Sequence, residues 1–302
     1  MTAHEITAKY VKLGKEVFSG KNWFSNVFRD KYDKAKLEKH LRAILGETTT
    51  LGDPSLLTGL LIVTKRTDTG SPWPLGNNPN GKYFRAPPGA TWTSNGDYKL
   101  WQVVRASTAA PTYFEPEKIA IGGKQVGNFV DGGVTPHNNP ALQAFMYATL
   151  SGFGVNWQTG EDELLIVSLG TGAAHPAIGG SWMSALEGAK VLSGLMTDSA
   201  ALVETMMQWM SRSATARRID GEIEDLSGDV LGGTPQFQYI RYNVELTESG
   251  LAPYLPGIPD DRLKTLSEMD KAENLEILKD IGERAAAAQI LPAHFPPSFD
   301  IR

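Results

Sequence analysis

Residues 119–150 leave the backbone few choices. A β-like arm turns at Gly122-Gly123-Lys124, returns through Val126, Phe129 and Val130, and runs into Asp131-Gly132-Gly133. Asn139-Pro140 then makes a helix start, with Asn as the cap and Pro at the first helical position, where its missing N–H does no harm. The run ALQAFMYATL that follows is apolar on most sides and predicts a buried helix ending at Gly152. A hairpin that delivers a carboxylate to a two-glycine turn ahead of a buried helix points to an α/β layer.

The flanking segments extend this pattern. Thr2-Ala3-His4-Glu5 has capping-box spacing, and Ile6, Tyr10, Leu13 and Val17 then fall on one helical face. Residues 32–45 read as an amphipathic helix stopped by Gly46. Residues 56–66 carry Leu60-Leu61-Ile62-Val63, short enough for a buried strand in a parallel sheet covered on both faces. Residues 70–96 are rich in Gly, Pro and Asn and read as a long surface loop, anchored to its own domain by Trp73, Tyr83, Phe84 and Trp92. Residues 164–168 form another short apolar strand, broken by Gly170-Thr171-Gly172. Beyond residue 173 the spacing turns helical, with Leu192, Leu195, Met196, Leu202, Val203, Met206 and Met210 on one helix, where core packing is the role assigned to the methionines. A last helix is predicted over residues 270–288, with Asp270 and Glu273 spaced as a second capping box.

Composition narrows the chemistry. The 302 residues carry a net charge of −5, which opposes non-specific nucleic-acid binding, since that needs clustered Lys and Arg to replace phosphate counterions. The absence of cysteine excludes disulfides, thiolate catalysis and Cys-based metal sites. Neither His and carboxylates at metal-ligand spacing nor a GxGxxG or Walker lysine pattern occurs, so no metal or cofactor is expected. No run approaches the roughly 20 apolar residues of a membrane-spanning helix, and the N-terminus lacks the look of a signal peptide. The expectation is a cytoplasmic protein whose contact with lipid is peripheral, at a membrane or micelle surface.

Asp131 is the leading candidate for chemistry. A carboxylate at a strand end, on a turn where glycines let backbone approach closely, can serve as a base toward a hydroxyl if it is partly desolvated. Its context is specific. Ala109-Ala110-Pro111-Thr112-Tyr113-Phe114, Asp131-Gly132-Gly133, Asn139-Pro140 and Ser168-Leu169-Gly170-Thr171-Gly172 follow one another in order. On these motifs, and on the opening helix with Lys15-Glu16-Val17-Phe18, residues 1–172 resemble the patatin-like phospholipases, a family of lipid acyl hydrolases. From Gly180 onward the chain more weakly resembles the extension of some bacterial members.

The resemblance implies a three-layer α/β core with a mainly parallel sheet over residues 1–173 and a mainly helical extension over 174–302. It implies a Ser-Asp dyad, with Asp131 as the base, Gly132 and Gly133 as its supporting turn, and a lipid or acyl ester as substrate. One departure is decisive. The family's nucleophile sits in Gly-X-Ser-X-Gly, and no such pentapeptide occurs here; Gly179-Gly180-Ser181-Trp182-Met183 lacks the closing glycine. The glycine-rich oxyanion run is missing too. The core is therefore expected to be N-terminally incomplete, to expose an unpaired sheet edge, and to be inactive alone. Ser107 and Ser168 are read as backbone support, and His137 as structural. The rival reading is a non-catalytic scaffold or regulatory short form that kept the fold and lost the nucleophile. A hydrolase using Asp131 with water alone would need a second acid, and no spacing nominates one.

Overall fold

The computed structural model describes residues 2–18, 32–174, 185–268 and 270–300, and for 185–190 the backbone alone. The pentad at Gly179 to Met183 lies outside the described residues. Along the chain run α1 (Ala3–Phe18), α2 (Lys34–Leu45), β1 (Leu61–Arg66), β2 (Pro72–Gly76), α3 (Leu100–Ser107), β3 (Glu117–Gly122), β4 (Gln125–Asp131) and α4 (Ala141–Thr149). They are followed by β5 (Leu165–Leu169), α5 (Ala185–Trp209), β6 (Gln238–Tyr242), the short α6 (Glu248–Leu251) and α7 (Asp260–Leu263), and α8 (Leu275–Gln289). Packing divides the chain into two compact units. One holds Gly20–Trp157 with Gly180–Leu192; the other holds Met1–Ser19, Gln158–Gly179 and Ser193–Arg302. The division at 173/174 follows family resemblance, whereas these units follow packing.

The first unit is built on a four-stranded sheet of order β2-β1-β4-β3. Every pairing in it is antiparallel, which corrects the mainly parallel expectation. Connection length is the reason for the β1–β2 and β3–β4 pairs. Residues 67–71 join β1 to β2, and Gly123-Lys124 alone join β3 to β4, whereas a parallel crossover needs roughly a dozen residues or more. The hairpin predicted at Gly122-Gly123-Lys124 is present. Gly122 has φ +138°, and a Cβ there would lie 2.2 Å from the Thr91 carbonyl oxygen, so glycine is required.

One face of the sheet packs and the other is partly open, again unlike a sheet covered on both sides. Along β3, Glu117, Ile119 and Ile121 are buried while Lys118 and Ala120 are exposed. The inner face joins Leu75, Ile119 and Phe129 to Leu100, Val103 and Ala106 of α3 in one apolar cluster. Residues 70–96 are not a plain loop, because β2 lies within them. Trp73 stacks on Phe129 at 5.0 Å, Phe84 is buried, and Tyr83 meets Trp92 edge-on. These aromatics anchor the segment, as the sequence suggested. α2 is capped by Asp33, whose Oδ1 accepts from the Ala35 amide at 2.8 Å, and closed by Gly46 at φ +91°. α4 is less buried than its composition predicts: Ala141, Gln143 and Ala148 are buried, Ala144 is exposed, and the helix ends before Leu150.

In the second unit the capping box of α1 is realised. The Thr2 amide donates to Glu5 Oε2 at 2.7 Å, and the Glu5 amide donates to Thr2 Oγ1 at 3.3 Å. Gly14 lets α1 meet Leu275 closely, and Lys15 pairs with Glu276 at 2.7 Å. β5 pairs in parallel with β6, from Leu165 opposite Gln238 to Leu169 opposite Tyr242. The region read as mainly helical thus also supplies a strand. Leu246, Leu251, Leu266 and Ile281 form its core beside α8, and Met207 of α5 is fully buried. α8 starts at Leu275 rather than 270, because buried Asn274 is committed elsewhere. Its Nδ2 donates to the Thr265 carbonyl at 2.8 Å and its Oδ1 accepts from Arg262 at 3.0 Å.

Candidate active site

β4 ends at Asp131, opposite Thr64 of β1. Its backbone amide donates to the carbonyl of Ala109 at 3.1 Å, so two motifs far apart in sequence meet through one hydrogen bond. The Ala109 end of that bond is fixed by its own turn. Tyr113 and Phe114 amides return to the Ala110 carbonyl at 3.1 and 3.0 Å, and Thr112 takes φ +71° to allow it.

After Asp131 the chain presses against β1. A Cβ on Gly132 would sit 2.3 Å from the Val63 carbonyl oxygen, so only glycine fits. Ser107 Oγ donates to the same carbonyl at 2.7 Å, a backbone-supporting role. The Gly133 amide turns back and donates to Asp131 Oδ1 at 2.7 Å. Buried Thr135 closes the turn: its Oγ1 donates to the Gly132 carbonyl at 2.6 Å and accepts from the His137 amide at 3.2 Å. Asn139 Oδ1 accepts from the Ala141 amide at 3.2 Å, capping α4 from one residue further out than predicted.

The carboxyl group is half-buried. Burial pushes its pKa above the ordinary aspartate value, and the Gly133 amide opposes this in part by stabilising the anion. Burial pushes His137 down, and its Nδ1 is buried with no hydrogen-bond partner. Oδ1 thus carries the orienting bond, which leaves Oδ2 as the oxygen able to take a proton from an incoming hydroxyl.

The Ser168-Leu169-Gly170-Thr171-Gly172 loop lies in the second unit, after β5. Ser168 Oγ accepts from Arg241 Nη1 at 2.7 Å, and Asn243 Oδ1 accepts from the Gly172 amide at 3.0 Å. Ser168 therefore supports its sheet, as read from sequence. Among the described residues no cluster of three or more His, Asp or Glu side chains could hold a metal ion. Sequence reasoning did not single out Thr135 or Ala109. Thr135 stood between the Asp131-Gly132-Gly133 and Asn139-Pro140 motifs, but a carbonyl contact made by Ala109 leaves no side-chain signal.

The family model of the patatin-like phospholipases matches residues 1–145. "Probable inactive patatin-like protein 9" of Arabidopsis thaliana is 35% identical over 85 residues, covering 28% of this chain and 22% of that protein. "cGAMP-activated phospholipase" of Vibrio cholerae is 29% identical over 151 residues, covering 47% of this chain and 38% of the other. "Patatin-1-Kuras 2" of Solanum tuberosum is 28% identical over 179 residues, covering 56% and 44%. The matches span less than half the length of these relatives. Over residues 1–145, the chain is similar to the patatin-like phospholipases.

Proposed function

We propose that this chain contributes the base of a Ser-Asp lipid acyl hydrolase, with Asp131 as that base. The observation that carries the reading is the state of one carboxyl group: half-buried, raised in proton affinity, and oriented through a single oxygen by the Gly133 amide. A serine hydroxyl attacks the ester carbonyl while Asp131 accepts its proton. The protonated Asp131 then gives that proton to the departing alcohol. In the second half, water attacks the acyl-serine, Asp131 takes the water proton, and it returns a proton to the serine oxygen as the fatty acid leaves. Gly132, Gly133 and Thr135 hold the base. The serine comes from polypeptide outside these 302 residues, which contain no Gly-X-Ser-X-Gly. The substrate class is a phospholipid or related acyl ester, met at the surface of a membrane or micelle, and the compartment is the cytoplasm.

The test compares residues 1–302 with a longer protein that carries a serine elbow, using a chromogenic acyl ester and a serine-directed phosphonate. Hydrolysis and labelling are expected in the longer protein alone, and Asp131→Asn should lower its kcat by about 10²–10⁴. Robust hydrolysis by residues 1–302 overturns the assignment of the nucleophile. A second reading, a non-catalytic scaffold, is favoured by the relative named as inactive and by the missing pentapeptide. It predicts no phosphonate labelling in any length of the protein.

A further inference from the structure

In the first unit, residues 56–61 and 77–79 and the outer side of α4 enclose a groove of about 470 Å³, with Trp157 at its rim. Small-molecule sites fall in the range of roughly 300–1,000 Å³. None of the residues lining this groove is charged. Its amides are already committed: Asn77 Oδ1 accepts from the Leu60 amide at 2.7 Å and its Nδ2 donates to the Thr58 carbonyl at 2.9 Å, while Asn78 Nδ2 donates to the Phe153 carbonyl at 2.7 Å. The Tyr147 phenol is pushed up by burial and is held by the Asn78 backbone amide.

We propose that this groove binds one uncharged alkyl chain of a monomeric long-chain lipid. A peptide segment is a poor occupant, because its many amides would enter walls whose own side-chain amides are already paired, and unpaired backbone groups are costly. An alkyl chain carries no such groups and gains about 25 cal/mol for each Å² removed from water. The walls have unfilled apolar surface to offer. Leu57 is 95% exposed and Trp157 62% exposed. At Gly59 a Cβ would meet nothing within 4 Å, so the missing side chain keeps part of the groove open. The groove also has a bearing on Asp131. Leu61 lines it, and three residues along the same strand, about 10 Å away, Thr64 faces Asp131. The binding stands independently of whether Asp131 acts as a base.

The test titrates the full chain with monomeric 12-bromododecan-1-ol and follows quenching of tryptophan fluorescence. Saturable quenching is expected, reversed by unbrominated dodecan-1-ol and lost in Trp157→Phe. Gly59→Leu should fill the groove and weaken binding by about ten-fold or more. Leu57→Asp places a charge on the rim at a position the fold does not use, and should weaken binding by a similar factor. If Gly59→Leu does not fold, the Leu57 variant decides. Asp131→Asn should bind as the parent does, which separates this site from the hydrolytic reading. Absence of saturable binding, or equal binding by the folded groove variants, overturns the proposal. So does quenching by brominated phosphatidylcholine vesicles without quenching by the monomeric alcohol, which would make the rim a membrane contact.

Discussion

At Asp131 the proposed chemistry and the stability of the fold pull in opposite directions. Burial raises its folded-state pKa above the value it has in the unfolded chain, so the native state binds the proton more tightly. Below the ordinary aspartate range both states are protonated and no penalty exists. As pH rises through the ordinary value toward the raised one, the unfolded chain ionises first and native stability falls; above the raised value the loss is constant. Asp131→Asn removes the ionisation and can keep the acceptor for the Gly133 amide. It should therefore raise the melting temperature at pH 7, with the gain vanishing near pH 3, while removing the base proposed for hydrolysis. A variant that melts lower than the parent across that range would show that the carboxylate is not desolvated. Gly132→Ala tests the other side of the turn: a Cβ 2.3 Å from the Val63 carbonyl should cost roughly 1–3 kcal/mol in denaturant melts. Asp131 was legible because a strand-like arm led into an Asp-Gly-Gly turn. The Ala109 carbonyl that holds it was not, since any residue could supply that atom.

Elements were legible where a side chain enforces them locally. Thr2 and Glu5 close the capping box of α1, Asp33 caps α2, and Gly46 ends it at positive φ. The hairpin was equally plain, and its two glycines separate two physical demands. Gly122 sits at φ +138°, where an added Cβ would lie 2.2 Å from backbone of Thr91 and Trp92, whereas Gly123 sits at φ +55°, where an added Cβ would come no closer than 3.7 Å to a neighbour. Gly122→Ala should lose roughly 1–3 kcal/mol of stability, and Gly123→Asn, which tolerates the left-handed region, should lose well under half of that. Equal losses in urea unfolding would mean that the turn, rather than the close approach, sets the requirement. Strand direction was not legible. Leu60-Leu61-Ile62-Val63 reads as a strand buried on both faces, but β1 is antiparallel to both neighbours, and residues 67–71 are too short a link to β2 for a crossover. β2 was hidden for a different reason. Pro72 and Pro74 argue against a central strand, yet β2 is an edge strand, where proline is tolerated and blunts further pairing.

At the scale of the molecule, the open edge lies elsewhere than on the prolines. β5 pairs with β6 on one side, and among the described residues no strand pairs on its other side. β6 is bridged on its far side by Arg212, so β5 is the edge of that small sheet. Val167 is 43% exposed and Leu169 71% exposed on this strand. A strand edge with solvent-facing apolar side chains is a template for intermolecular pairing. The net charge of −5 spread over 302 residues gives only weak repulsion against it. Charging the edge should therefore suppress aggregation, and the sign of the added charge separates two causes. Val167→Lys with Leu169→Lys brings the net charge from −5 to −3, while the corresponding double Glu variant brings it to −7. If edge pairing drives association, light scattering against concentration should fall in both variants, with stability changed by no more than about 0.5 kcal/mol per site. If bulk charge governs it, the Glu variant should improve and the Lys variant worsen. Unchanged scattering in both would remove β5 as the cause.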